Sequence, residues 1–112
     1  MDDTTSSGKI TIAPDVLATV ARLTTLAIPG VARMVSPPGV RRLLGLNGVK
    51  IDVEADRVRV ELHVVAEPGV SMLKLGRQVQ AEVTRAIQDL VGMSAEAVDV
   101  FIEDVAQGST PE

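Results

Sequence analysis

The stretch from Val49 to Ala66, VKIDVEADRVRVELHVVA, constrains this chain more than any other. Apolar residues at Val49, Ile51, Val53, Val58, Val60, Leu62 and Val64 are separated by charged ones, the period of two expected of half-buried strands. With Ala55 and Asp56 as the loop, Val53 faces Val58, Ile51 faces Val60 and Val49 faces Leu62, so one face of the hairpin is aliphatic. The other face sets Glu54 against Arg57, Asp52 against Arg59 and Lys50 against Glu61. Each of these opposite-sign pairs is worth about 0.2–1 kcal/mol, and a slip of one residue removes all three while burying charge. The register is specified twice. Ala-Asp is not the Asn-Gly that two-residue turns favour, so a longer loop with the same pairing also fits.

The remaining elements attach to this ribbon. Residues 1–7 read as a disordered tail, and GKITIA, with Ile10 and Ile12 alternating, as a short first strand. A helix follows from Pro14, which costs nothing in a first turn, with Asp15 complementing the dipole. Its apolar stripe is Val16, Leu17, Val20, Leu23 and Ala27, and Pro29-Gly30 stops it. VARMV (31–35) is a second strand, and Ser36-Pro37-Pro38-Gly39 breaks regular structure ahead of a short helical turn in VRRLLGLNG. After the hairpin, Ser71 caps a helix roughly 30 Å long whose stripe is Met72, Leu75, Val79, Val83, Ala86, Ile87 and Leu90. Gly76 within it suggests a close helix approach. Val98, Val100 and Ile102 make a last strand, with Phe101 on its opposite face. The order β-α-β-β-β-α-β implies an α+β fold, a small mixed sheet of four to five strands with two helices on one face. Residues 8–106 form one domain and 107–112 a tail.

Composition narrows what such a domain can do. The 112 residues contain no cysteine and a single aromatic side chain, Phe101, so thiol chemistry and aromatic base stacking are excluded. The net charge of −4 opposes non-specific attraction to phosphate or anionic lipid. No apolar run reaches the ~20 residues of a spanning helix, and the acidic start MDDTTSSG is not a signal peptide. A cytoplasmic chain is expected.

The candidate chemistry is sparse. His63 is the only histidine, and no nucleophile-elbow sequence surrounds Ser36, Ser71 or Ser94; it reads as a satisfied sheet-face residue. Asp52, Glu54 and Glu61 each have a basic partner across the ribbon and read as a solvated charged face. Gly45-Leu46-Asn47-Gly48 matches the GXXG clamp of KH domains, beside the basic residues Arg33, Arg41, Arg42 and Lys50, although here it leads into a strand. Phe101 and Val65, if together on the open face, supply an apolar anchor for a partner. A basic middle and an acidic C-terminal third suit head-to-tail self-association.

Three pieces together resemble a known family. GKITIAPDVLATVARLTTLAIPGV (8–31), GVKIDVEADRVRVELHVVAEPG (48–69) and residues 70–105 with VQAEV and VDVFIEDV are similar to the opening strand and helix, the hairpin, and the last helix and strand of the alkaline shock protein family, also called general or envelope stress response proteins. Many relatives have an aromatic residue near the hairpin's end where this chain has Ala66-Glu67. The resemblance implies a non-enzymatic protein of cell-envelope homeostasis and stress, self-associating, with no cofactor, metal or small-molecule substrate. It also implies peripheral placement at the inner face of the membrane through an integral membrane partner. A KH-like nucleic-acid module and a regulator of fatty-acid synthesis are the alternatives, nucleic acid being the less expected partner. The interaction residues singled out are Arg41, Arg42, Arg57, Arg59, His63, Val65 and Phe101.

Overall fold

The computed structural model describes residues 8–36 and 48–107. Helix α1 spans Pro14–Leu26, strand β1 Val31–Met34, β2 Val49–Glu54, β3 Arg57–Ala66, helix α2 Met72–Ala86, continued by one π-helical turn at Ile87–Val91, and β4 Ser94–Val105. Architecture and class are those expected from the sequence, α+β with a mixed sheet.

Strand β3 is the centre of that sheet. The hairpin forms in the expected register, Val49 opposite Leu62 through Glu54 opposite Arg57. Its two-residue turn places Ala55 at φ 58°, a conformation that glycine adopts more easily. Strand β1 lies antiparallel along the same edge of β3, Met34 opposite Val64 and Val31 opposite Ala66. β1 and β2 are thus laid end to end, and their junction falls at His63, whose N–H donates to the Gly48 carbonyl at 2.8 Å while its carbonyl accepts from the Val35 N–H at 3.1 Å. Gly48 sits at φ +82°, and a Cβ there would lie 3.0 Å from the His63 carbonyl oxygen. Only glycine fits this junction without strain. On the other edge β4 runs parallel to β3 over its whole length, an arrangement that needs a crossover connection, which α2 supplies.

Both helices cover one side of the sheet. The core joins Val58, Val60, Leu62, Val64 and Ala66 of β3 with Leu17 and Ala21 of α1 and with Leu75, Val79, Val83 and Ile87 along α2. Gly30, at φ +106°, lets the chain turn closely past Leu75, whose Cδ1 would be 3.0 Å from an added Cβ.

Four details differ from the expectations. Residues 8–13 form no strand, and Ile10 is 93% exposed; of its two alternating residues only Ile12 packs against the core, too little burial to offset the entropy of ordering a strand. In α1 the buried residues are Leu17, Ala18, Ala21 and Thr25, whereas Val16 and Leu23 of the expected stripe are largely exposed. In α2 the stripe holds from Leu75 to Ile87, but Met72 at its start is 36% exposed and Leu90 71%. There the bond from the Gly92 N–H to the Ile87 carbonyl spans five residues, and the extra residue in the turn rotates Leu90 out of phase. Gly76 makes no close approach, since an added Cβ would meet nothing within 4 Å.

Candidate interaction surface

The sheet face opposite the helices takes alternate residues of each strand, Lys50, Asp52 and Glu54 from β2, Arg57, Arg59, Glu61, His63 and Val65 from β3, and Asp99, Phe101 and Glu103 from β4. At its centre His63 is buried, 6% exposed, although it lies on the side that neither helix covers. Its Nδ1 is 2.6 Å from a Glu103 carboxylate oxygen and its Nε2 2.7 Å from one of Glu61. The parallel register of β3 and β4 sets Phe101 directly opposite His63, and the rings stack with centroids 4.7 Å apart and 10° between planes. Phe101 remains 44% exposed on its other side.

This cluster has a defined proton requirement. A neutral imidazole carries one N–H, so its other nitrogen would oppose a carboxylate lone pair to lone pair. Both contacts are hydrogen bonds only when His63, Glu61 and Glu103 share two protons, and charge-assisted bonds of this kind are the stronger ones. The arrangement orients Phe101 and fixes three side chains. It does not converge on a ligand: the carboxylates sit at opposite ends of the ring, and among the described residues no group of three His, Cys, Asp or Glu side chains could hold a metal ion. Beside it lies a shallow depression of ≈ 200 Å³ lined by Lys50, Asp52, Arg59, Val60, Glu61 and Asp99, smaller than the ~300–1,000 Å³ usual for small-molecule sites.

Of the residues singled out from the sequence, His63 and Phe101 come together, and Arg57 and Arg59 lie exposed on the same face. Val65 is there too but 1% exposed, so the apolar surface offered is that of Phe101. Arg41 and Arg42, and all of the GXXG turn except Gly48, lie outside the described residues. The cross-strand charge pairs are in register, yet Arg57 reaches Glu96 of β4 at 3.9 Å and Glu61 turns to His63 instead of Lys50. Sequence reasoning missed the roles of Glu61 and Glu103. Glu61 had a signal, being two residues before His63 on one strand face. Glu103 had none, because its approach depends on the β3–β4 register and on a β4 irregularity near residue 103.

A small α+β domain with both helices on one side of a mixed sheet and charged residues on the other is thus the class to which this molecule belongs. The family model described as the alkaline shock protein 23 family, of cell envelope-related function, matches residues 2–107, and the chain belongs to that family. An uncharacterized protein of Bacillus subtilis (strain 168), YqhY, is 28% identical over 104 residues, covering 88% of this chain and 77% of its own. Among solved structures a MamM CTD variant in its zinc form shares the fold, with a TM-score of 0.55 at 11% identity over 87% of this chain and 91% of that one. Among the described residues no helix is long and apolar enough to cross a membrane.

Proposed function

We propose that this chain is a non-catalytic interaction module of the cell envelope, cytoplasmic and self-associating, held at the inner face of the membrane by an integral membrane protein that docks on the bare sheet face. The observation that carries the reading is Phe101, half exposed and backed by a buried histidine that two carboxylates hold in place. An aromatic anchor fixed in position before binding loses little entropy on docking, the property of residues that dominate protein interfaces. Arg57, Arg59, Lys50 and the carboxylates around it form a mixed-charge rim that favours a protein of complementary pattern over a uniformly anionic surface. Family membership supports the envelope setting.

The test is co-sedimentation with native membranes, with the same membranes after proteolysis, and with vesicles of their extracted lipids. The chain should sediment with the first alone, and Phe101→Ala should lose that binding while keeping its melting temperature within a few degrees. Binding to the bare lipid vesicles, or unaltered capture of Phe101→Ala, would remove the sheet face from this role. RNA binding that weakens steeply with salt would replace the reading with the nucleic-acid one.

A further inference from the structure

Helix α1 carries two apolar stripes, and the domain uses one. Leu17, Ala18, Ala21 and Thr25 are buried against the sheet and α2. On the other side Val16, Val20, Leu23 and Ala27 recur at i, i+4, i+7 and i+11, the spacing of a helix–helix seam. Leu23 is 60% and Val16 49% exposed; Thr19 and Ala27 are exposed, and Val20 and Thr24 partly so. The helix's two charged residues, Asp15 and Arg22, stand roughly 110° and 130° around the axis from the centre of this stripe at 3.6 residues per turn. An exposed helical surface thus contains no charge.

Read in reverse about the midpoint between Ala21 and Arg22, the stripe maps onto itself. Val16 exchanges with Ala27, Thr19 with Thr24 and Val20 with Leu23, so a bulky residue meets a smaller one and threonine meets threonine. A two-fold axis demands this self-complementarity of an antiparallel contact between identical helices. We propose that the outer stripe of α1 is a two-fold seam on which a second copy of this chain docks its own α1, antiparallel. The proposal names the surface of the self-association put forward above and rests on that reading. An anionic bilayer is a poorer occupant, because interfacial helices flank their apolar face with lysine and arginine and the only basic residue of α1 is turned away. With one short helix from each copy, the seam falls below the ~1,200 Å² of stable interfaces, so association should be concentration-dependent.

Sedimentation velocity of the full chain, from about 1 to about 300 μM to bracket a transient interface, reads this directly. Wild type should pass from monomer to dimer, and Leu23→Glu, at a solvent-exposed position, should weaken the dimer at least tenfold with an unchanged circular dichroism spectrum. Val20→Lys should do the same alone, and mixing the two variants should restore association, because position 20 of one copy meets position 23 of the other. Phe101→Ala should leave the dimer intact while losing membrane capture, which separates failure of this seam from failure of the sheet-face reading. A wild type that stays monomeric throughout, a Leu23→Glu that associates as wild type does, or folded variants that do not complement would each overturn the seam. Binding of wild type, but not Leu23→Glu, to phosphatidylglycerol vesicles would give the face to lipid and overturn it as well.

Discussion

The two helices lie side by side on one sheet face, yet their outward surfaces differ in where they carry charge. α2 buries Leu75, Val79, Val83 and Ile87 and turns Lys74, Arg77, Gln78, Arg85 and Gln88 to solvent, so that its exposed apolar residues, Met72 and Leu73 at its start and Leu90 in the π turn, lie at its ends with charge between them. α1 buries a stripe of comparable length and exposes Val16, Leu23 and Ala27 with no charge among them. An apolar stripe without charge on a helix's outer side is what a partner would cover, and α1 has one along its middle where α2 does not. The bare sheet face is a third arrangement, in which a single aromatic ring is held in a charged surface by a buried polar cluster.

The largest effects test whether the inner faces of the two helices are equivalent. Leu17 is 1% and Leu75 4% exposed, and replacing either by alanine should cost about 2–5 kcal/mol in urea unfolding at unchanged m-value. A loss below ~1 kcal/mol for Leu17→Ala alone would mean that α1 is seated on the sheet by its other stripe. Next comes the bare face. If its polar residues were merely solvated, like the outer face of α2, His63→Ala would be nearly neutral. With both ring nitrogens bonded to carboxylates and 6% exposure, it should instead cost about 2–3 kcal/mol, the scale of hydrogen bonds to charged groups. Glu103→Gln should be much milder, because an amide can complete the chain of donors around a neutral ring.

How far the sequence was legible follows the same divide. The hairpin was readable residue by residue because alternation and cross-strand charge agree on one register. α2 was readable from Leu75 to Ile87 because its charged residues mark its outside, and it went astray at Met72, in the first turn, and at Leu90, where a π turn shifts the phase. α1 misled for the converse reason: with only Asp15 and Arg22 to mark a polar side, the expected stripe mixed Leu17 from the inner face with Val16, Val20, Leu23 and Ala27 from the outer one. GKITIA has the alternation of a strand but buries only Ile12, and propensity without burial did not form one. His63 could be placed on the bare face from the hairpin alone. Its partner Glu103 is forty residues away on a parallel strand, and no local pattern encodes that approach.

Smaller effects sharpen the contrast between the helices. Gly76 in α2 faces open space, so Gly76→Ala should raise stability by up to ~1 kcal/mol; a loss would reveal a neighbour pressing on α2, which the contrast between the helices excludes. The smallest effect should come from Leu23→Ala in dilute solution. Leucine and alanine are both good helix formers, and a side chain 60% exposed loses little when truncated, so monomer stability should move by no more than about 0.5 kcal/mol. The informative quantity is its concentration dependence. Any species that binds only folded chain raises the apparent melting temperature by mass action, so wild type should melt progressively higher as concentration rises while Leu23→Ala should not. The two curves should therefore meet at low concentration and separate at high. Curves that stay parallel at a separation worth 2 kcal/mol or more, of order the cost of a core truncation, would show that Leu23 is already covered within one chain, and α1 would then differ from α2 only in composition.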